Sequence, residues 1–183
     1  MPANKKHELD VVDLLQAVVD TLPNVEARSG QVTMATAIAD AIANGRHLIV
    51  QAGTGTGKTL GYLVPAIASG KRVVVSTYTK ALQDQLAKHD LPVLASALTP
   101  IIGREITWAV LKGRNNYLCA QRIAEIREPK QHKLDLQELS TQVKSDVDKL
   151  VAWSETTTTG DSGDLSWTPR DAAWRHVSIG SDE

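Results

Sequence analysis

Residues 52–59, Ala-Gly-Thr-Gly-Thr-Gly-Lys-Thr, set three glycines, three hydroxyls and one ammonium group in a short loop. A triphosphate is a compact cluster of negative charge. Backbone N–H groups hold such a cluster only where the chain comes close, and Cβ atoms obstruct that approach. Gly53, Gly55 and Gly57 remove the obstruction and permit backbone angles closed to most residues. A helix beginning near Lys58 aims its unpaired N–H groups at the anion. Lys58 has the reach to touch β- and γ-phosphate oxygens, and the Thr59 hydroxyl suits Mg²⁺. Thr54 and Thr56 complete the loop, and Ala52 fills a leading position where glycine is commoner. The spacing is that of a phosphate loop. The competing reading is a flexible glycine turn between a strand and a helix.

Other residues carry weaker signals. The Gln31 amide can donate to one edge atom of adenine and accept from another, which would separate ATP from GTP. The plain alternative is an exposed glutamine starting a helix. Ser76, Thr77 and Thr79 close an apolar run, where open α/β sheets place their ligands. Their hydroxyls suit phosphodiester oxygens, and Lys80 adds charge. Ordinary helix capping by Thr77 or Thr79 explains the same residues. Cys119 is the chain's only cysteine, which excludes an intramolecular disulfide and fits a reducing compartment.

These groups need elements to position them. Apolar residues at Leu9, Val12, Leu15, Val19 and Leu22 have helical spacing, and a second helix spans Met34 to Ile42 with Asn44-Gly45 as its stop. Residues 47–51 read as a short buried strand before the glycine loop. A helix runs from Lys58 to Ala68 and ends near Gly70. Residues 71–77 form a second strand, with three consecutive valines pointing to burial on both faces. Residues 80–89 form a helix and residues 105–111 a third strand. This alternation predicts an α/β fold with a parallel sheet flanked by helices. Beyond Leu111 the pattern is helical, over residues 115–128 and 134–153. A polar loop follows at residues 154–166, and the last residues have no clear period. The expected organisation is therefore an N-terminal helix in residues 1–27, a partial α/β domain in 28–111 and a helical segment in 112–183.

Composition sets the frame. The chain has 183 residues, with 20 basic and 21 acidic side chains, so any nucleic-acid site must be a local patch. No apolar run approaches the roughly 20 residues of a membrane span, and no signal peptide is evident. The expectation is a soluble cytoplasmic protein without membrane association.

The stretches Arg28-Ser-Gly-Gln31, residues 52–59, Ser76-Thr-Tyr-Thr-Lys-Ala-Leu-Gln-Asp-Gln-Leu86 and Leu111-Lys-Gly-Arg-Asn-Asn-Tyr-Leu-Cys119 occur in this order. The series resembles the DinG-type branch of the XPD-like DNA helicases, a superfamily-two group. The resemblance covers about half of the chain, and its last two stretches are the most specific. It implies a RecA-like phosphate-loop fold, ATP and Mg²⁺ as cofactors, single-stranded DNA as partner, and 5′-to-3′ unwinding by the full-length protein. It places Gln31 and Arg28 on the adenine side, residues 52–59 at the phosphates, and Thr77, Thr79, Lys80 and Gln83 along the DNA backbone. It matches Cys119 to the first ligand of a four-cysteine iron–sulfur site. Tyr78 departs from the histidine common in relatives. The larger departure is that only one thiolate is present, where a cubane cluster takes about four. Truncation of a longer parent is the expectation, with Cys119 a buried thiol in this chain and a ligand in that parent.

Hydrolysis needs an acidic residue at a strand end to hold Mg²⁺ and orient water. No apolar run after Thr59 ends in such a residue. The chain is therefore expected to bind nucleotide weakly, with little turnover of its own. Two other functions compete: a non-enzymatic nucleotide- or DNA-binding module, and a small-molecule kinase, whose nearest lid candidates, Arg122 and Arg127, sit on an ordinary amphipathic helix.

Overall fold

A computed structural model describes residues 10–23, 28–128 and 139–180. It divides into two compact units, residues 1–110 and 111–183. Among the described residues, no helix is long and apolar enough to cross a membrane. Parts of the expected first helix and of the helix over residues 134–153 lie outside the described residues.

In the first unit, α1 spans Val11–Val19, with the Asp10 carboxylate accepting from the Val12 amide at its start. Helix α2 spans Ser29–Asn44 and α3 spans Lys58–Ala68. Helix α4 covers Lys80–Gln85, and a turn of π-helix at Leu86–Asp90 joins it to α5, Leu91–Ile102. The core is aliphatic: Leu14, Leu15 and Val18 of α1 are buried with Leu63, Val64, Leu94 and Leu98. Each such side chain contributes about 1.5–3 kcal/mol when removed from water. Two cations close helix ends where free carbonyls collect. Lys71 donates to the Ile42 carbonyl of α2 at 2.8 Å, and Arg104 donates to the Ile67 carbonyl of α3.

The expected helices before residue 111 are present, and α5 is an addition. Its leucines at 91, 94 and 98 do have helical spacing, but Pro92 and Pro100 obscured it. Pro92 sits in the first turn of α5, directly after the π-turn that joins it to α4.

The expected strands differ. Residues 47–51, 71–77 and 105–111 are outside helices, yet none is paired in a sheet. Two isolated bridges are the only ladder contacts among the described residues, and both lie in the second unit. Burial on both faces is also absent at the valines: Val74 is 88% exposed and Ile49 is 96% exposed. The reason is physical. A helix satisfies its own backbone, whereas a parallel strand needs neighbours for every N–H and C=O. These segments do not serve as neighbours for one another.

The second unit has its own core of Ile123, Val143, Val147, Leu150, Ala173 and Val177. Among the described residues, its α-helices are α6, Ala120–Arg127, α7, Thr141–Trp153, and α8, Asp171–Val177. Helix α8 went unread in the sequence because seven residues give barely two turns of period. The stretch at Leu118–Cys119 is held on two sides, with Leu118 N–H on Gly160 O at 2.9 Å and Cys119 N–H on Val177 O at 2.7 Å. Two ion pairs fasten the loops. Lys112 meets Asp161 at 2.8 Å with both side chains largely buried, and Arg170 meets buried Asp146 at 2.7 Å. The backbone N–H of Arg170 holds the Asp146 carboxyl below its ordinary range, and burial opposes this. The Arg170 guanidinium adds to the lowering.

Two predictions follow from this packing. A lowered folded pKa stabilises the second unit above the free-carboxylate value of about 3.9, and that contribution is lost as pH falls through the folded value. Tryptophan fluorescence from Trp153, Trp167 and Trp174 should report unfolding on acidification, and Asp146→Asn should flatten that acid limb. Separately, the exposed apolar segments should bind a hydrophobic dye above ordinary background. A double change, Ile49→Lys with Val74→Lys, should cut the dye signal while altering stability by no more than about 0.5 kcal/mol per site.

Candidate functional site

The site is built where α2 and α3 meet. Gly61 of α3 is buried, and a Cβ there would lie 3.3 Å from Met34 Sδ of α2, so its bareness sets how closely the two helices pack. That approach brings the start of α2 against the loop that leads into α3.

In the loop, Gly55 and Gly57 have φ of 75° and 72°, the left-handed region that side chains with a Cβ rarely adopt. Gly53 has neither a positive φ nor an atom within 4 Å of a would-be Cβ. Two of the three glycines are thus required by backbone geometry, and the third only leaves space. Thr56 Oγ donates to Gly53 O at 3.0 Å and tightens the turn. Thr54 is exposed and Ala52 half-buried.

Lys58 is the first residue of α3. Its Nζ donates to Ala52 O at 3.1 Å and to Gly53 O at 2.6 Å. The ammonium is folded over the loop with main-chain carbonyls as its partners. Phosphate oxygens are stronger acceptors for such a group. The loop residues therefore fit a polyphosphate: a glycine cradle, a helix N-terminus and a cation already above the loop. Thr59 is half-buried one residue on. Burial pushes the Tyr62 phenol above its usual range, a hydrogen bond with Thr59 opposes this, and Asp90 adds to the rise. Burial likewise raises the Asp90 carboxyl, with His89 and the Gln85 amide acting against it.

Gln31 is 4% exposed, not the exposed helix-start of the plain alternative. Its Nε2 donates to Gly57 O at 2.9 Å. Arg28 stands just before α2, and its Nη1 would be 3.8 Å from a Cβ on Gly55. The structure thus brings Arg28, Gln31 and the loop residues together.

The second group of sequence candidates sits apart from the loop in chain order. Thr79 caps α4, its Oγ accepting from the Leu82 amide at 3.3 Å. Thr77 and Gln83 are half-buried, and Lys80 is exposed. Cys119 is half-buried at the start of α6. Among the described residues, no three His, Cys, Asp or Glu side chains gather as metal ligands. One cysteine does not fit an iron–sulfur cluster, and no chemistry is assigned to one. Arg122 and Arg127, the would-be kinase lid, are engaged inside the second unit. Arg122 donates to Arg175 O at 2.6 Å, and Arg127 pairs with Glu155 at 3.0 Å.

The sequence missed the Gln31–Gly57 contact. Its only signal is a polar residue amid helix α2 whose burial the apolar pattern did not announce.

Comparison with known proteins agrees with the motif resemblance. Residues 33–156 match the family described as DEAD/DEAH box helicase. The chain is 42% identical to the "ATP-dependent helicase DinG" of Mycobacterium tuberculosis (strain ATCC 25618 / H37Rv), over 96% of this chain and 28% of that protein. It is 42% identical to the "ATP-dependent DNA helicase YoaA" of Escherichia coli (strain K12), over 88% of this chain and 24% of that protein. The "3'-5' exonuclease DinG" of Bacillus subtilis (strain 168) is 34% identical, over 82% of this chain and 16% of that protein. The chain thus spans about a quarter of the first two relatives' length and less of the third.

The loop geometry makes a sharp contrast between two glycines. Gly57→Ala places a Cβ 2.3 Å from Gln31 Nε2 in a left-handed backbone, and should lower stability by about 1–2 kcal/mol or more. Gly53→Ala should stay within about 0.5 kcal/mol of the parent. Urea titration of the two variants checks this.

Proposed function

This chain belongs to the DEAD/DEAH box helicase family, and on that premise we propose that residues 52–59 hold the phosphates of ATP for a DNA motor. The observation that carries the reading is the loop itself, with two left-handed glycines, the N-terminus of α3 and the Lys58 ammonium resting on loop carbonyls. Backbone amides of the loop and Lys58 would hold β- and γ-phosphate oxygens. The Thr59 hydroxyl would ligate Mg²⁺, which neutralises charge that develops as the terminal phosphate leaves. Gln31, with Arg28, would face the adenine.

Thr77, Thr79, Lys80 and Gln83 would lie along the backbone of single-stranded DNA. Lys80 is exposed, as a phosphate contact requires. Two of the three longer proteins compared with this chain carry helicase names, and ATP-driven 5′-to-3′ unwinding is the proposed activity of a longer protein containing it. The matching architecture is a RecA-like parallel sheet. Residues 47–51, 71–77 and 105–111 would be its strands once further strands pair with them. Their apolar character and their alternation with helices in the chain support this. The chain alone lacks an acidic residue at a strand end after Thr59, so it is proposed to bind nucleotide with little turnover. A non-enzymatic nucleotide- or DNA-binding role is the alternative that the missing acidic residue favours.

Isothermal titration of the 183-residue chain with Mg·ATP should show binding by millimolar ligand, and Lys58→Ala should weaken it about tenfold or more, as the loss of charge-assisted bonds demands. No heat of binding, with no difference on Lys58→Ala, would overturn the phosphate site. Filter binding of single-stranded DNA should weaken steeply with salt. Clear DNA-stimulated ATP turnover, lost on Lys58→Ala, would overturn the expectation of an inactive chain.

A further inference from the structure

Of the chain's three tyrosines, two are absorbed by the fold. Tyr62 is half-buried against the core of the first unit, and the Tyr117 hydroxyl accepts from the Lys112 amide at 2.9 Å. Tyr78 is not absorbed. It is fully exposed, the most exposed of the large apolar and aromatic side chains among the described residues. An aromatic ring gains more from burial than most side chains do, and the fold gives Tyr78 none of that gain.

Its position explains the exposure. The chain bends at Tyr78, Thr79 caps α4, and α4 starts at Lys80. An apolar residue just before a cap often folds back onto the residue four places after that cap. Here that residue is Gln83, whose polar amide offers the ring no apolar partner. The chain neighbours of the ring suit a phosphodiester. Lys80 and Thr79 are exposed, and Thr77 is half-buried. Thr79 Oγ accepts from the Leu82 amide at 3.3 Å, which leaves its O–H to donate to a phosphate oxygen.

We propose that Tyr78 stacks on a base of single-stranded DNA whose phosphates lie along Thr77, Thr79 and Lys80. This rests on the reading of Thr77, Thr79, Lys80 and Gln83 as the DNA segment, and it adds a base contact to that segment. Phosphate contacts hold a strand by charge and weaken as salt rises. Stacking does not depend on charge, and it tolerates any sequence because every base has a π-face. A duplex keeps its bases stacked on one another, and turning one out costs free energy. An exposed ring beside hydroxyls and an ammonium group therefore favours an unpaired strand over a duplex.

The test uses the full 183-residue chain and two labelled oligomers of about 12 nucleotides, within the usual range of single-strand sites. One is oligo(dT). The other has the same sugar–phosphate backbone with abasic residues in place of the thymidines. Fluorescence anisotropy gives both dissociation constants across a salt series. Tyr78→Ala should raise the oligo(dT) constant about five- to a hundredfold, the range of one stacked base. It should leave the abasic constant and the salt slope unchanged. A fully exposed ring can be removed without unfolding the chain, so the loss reads the contact. Tyr78→Phe keeps the ring and should bind as the parent does. Lys80→Ala should weaken both oligomers and reduce the salt slope by about 0.7. The proposal is overturned by no loss with Tyr78→Ala, by an equal loss on both oligomers, or by a loss with Tyr78→Phe as large as with Tyr78→Ala. A parent chain that binds both oligomers while Tyr78→Ala changes nothing refutes the stacking alone. A parent chain that binds neither refutes the DNA segment itself, and the stacking with it.

Discussion

The junction at Gly57 governs the first unit's chemistry. The chain turns there with a left-handed φ, and α3 begins at the next residue. The Gly57 carbonyl is bonded from two directions, by the Gly61 amide within α3 and by the Gln31 side chain from α2. Two helices that are separate in sequence are thereby tied at one peptide group. The bare face of Gly61 lets α2 approach, the absent Cβ of Gly57 gives the Gln31 amide its place, and the loop before it curls enough for Lys58 to lie across Ala52 and Gly53. Each glycine acts by what it lacks, in a different way: close helix packing at 61, room and turn at 57.

Much of this was legible beforehand. The phosphate-loop spacing, the start and end of α3, and the helical character of α1, α2 and α4 all rest on local rules of periodicity and capping. Local rules work for helices because their hydrogen bonds close within four residues. The apolar segments at 47–51, 71–77 and 105–111 were legible as segments, but their pairing was not. A strand's partners are chosen by the rest of the fold, and triple valine says only that partners are wanted. Gln31 shows the same limit within the site. Its residue type suggested a hydrogen-bonding role, but a contact 26 positions away depends on how α2 and α3 cross. Thr79 caps α4, as its residue type before a helix anticipates.

The second unit solves a different problem. It has few buried side chains, and its loops are fastened by polar bonds. Lys112 and Asp161 pair almost out of water, Asp146 receives both the backbone and the guanidinium of Arg170, and Trp174 Nε1 donates to Asn115 O at 2.8 Å. Such pairs add little net stability over apolar packing, but losing one partner is costly because the other is left buried and alone. Cys119 lies inside that frame, with its backbone bonded to Val177.

Lys71 and Arg104, which close the ends of α2 and α3, have a further consequence because of where they fall in the chain. Lys71 and Arg72 directly precede Val73–Val75, Arg46 and His47 precede Leu48–Val50, and Arg104 with Glu105 precedes Ile106. Short β-prone apolar windows are the parts of a protein most apt to stack with copies of themselves. A charge at the threshold of each window makes such stacking bring like charges together, which opposes it. Lys71 and Arg104 thus combine two physical effects, completing a helix end and placing a charge that opposes self-stacking beside an apolar window.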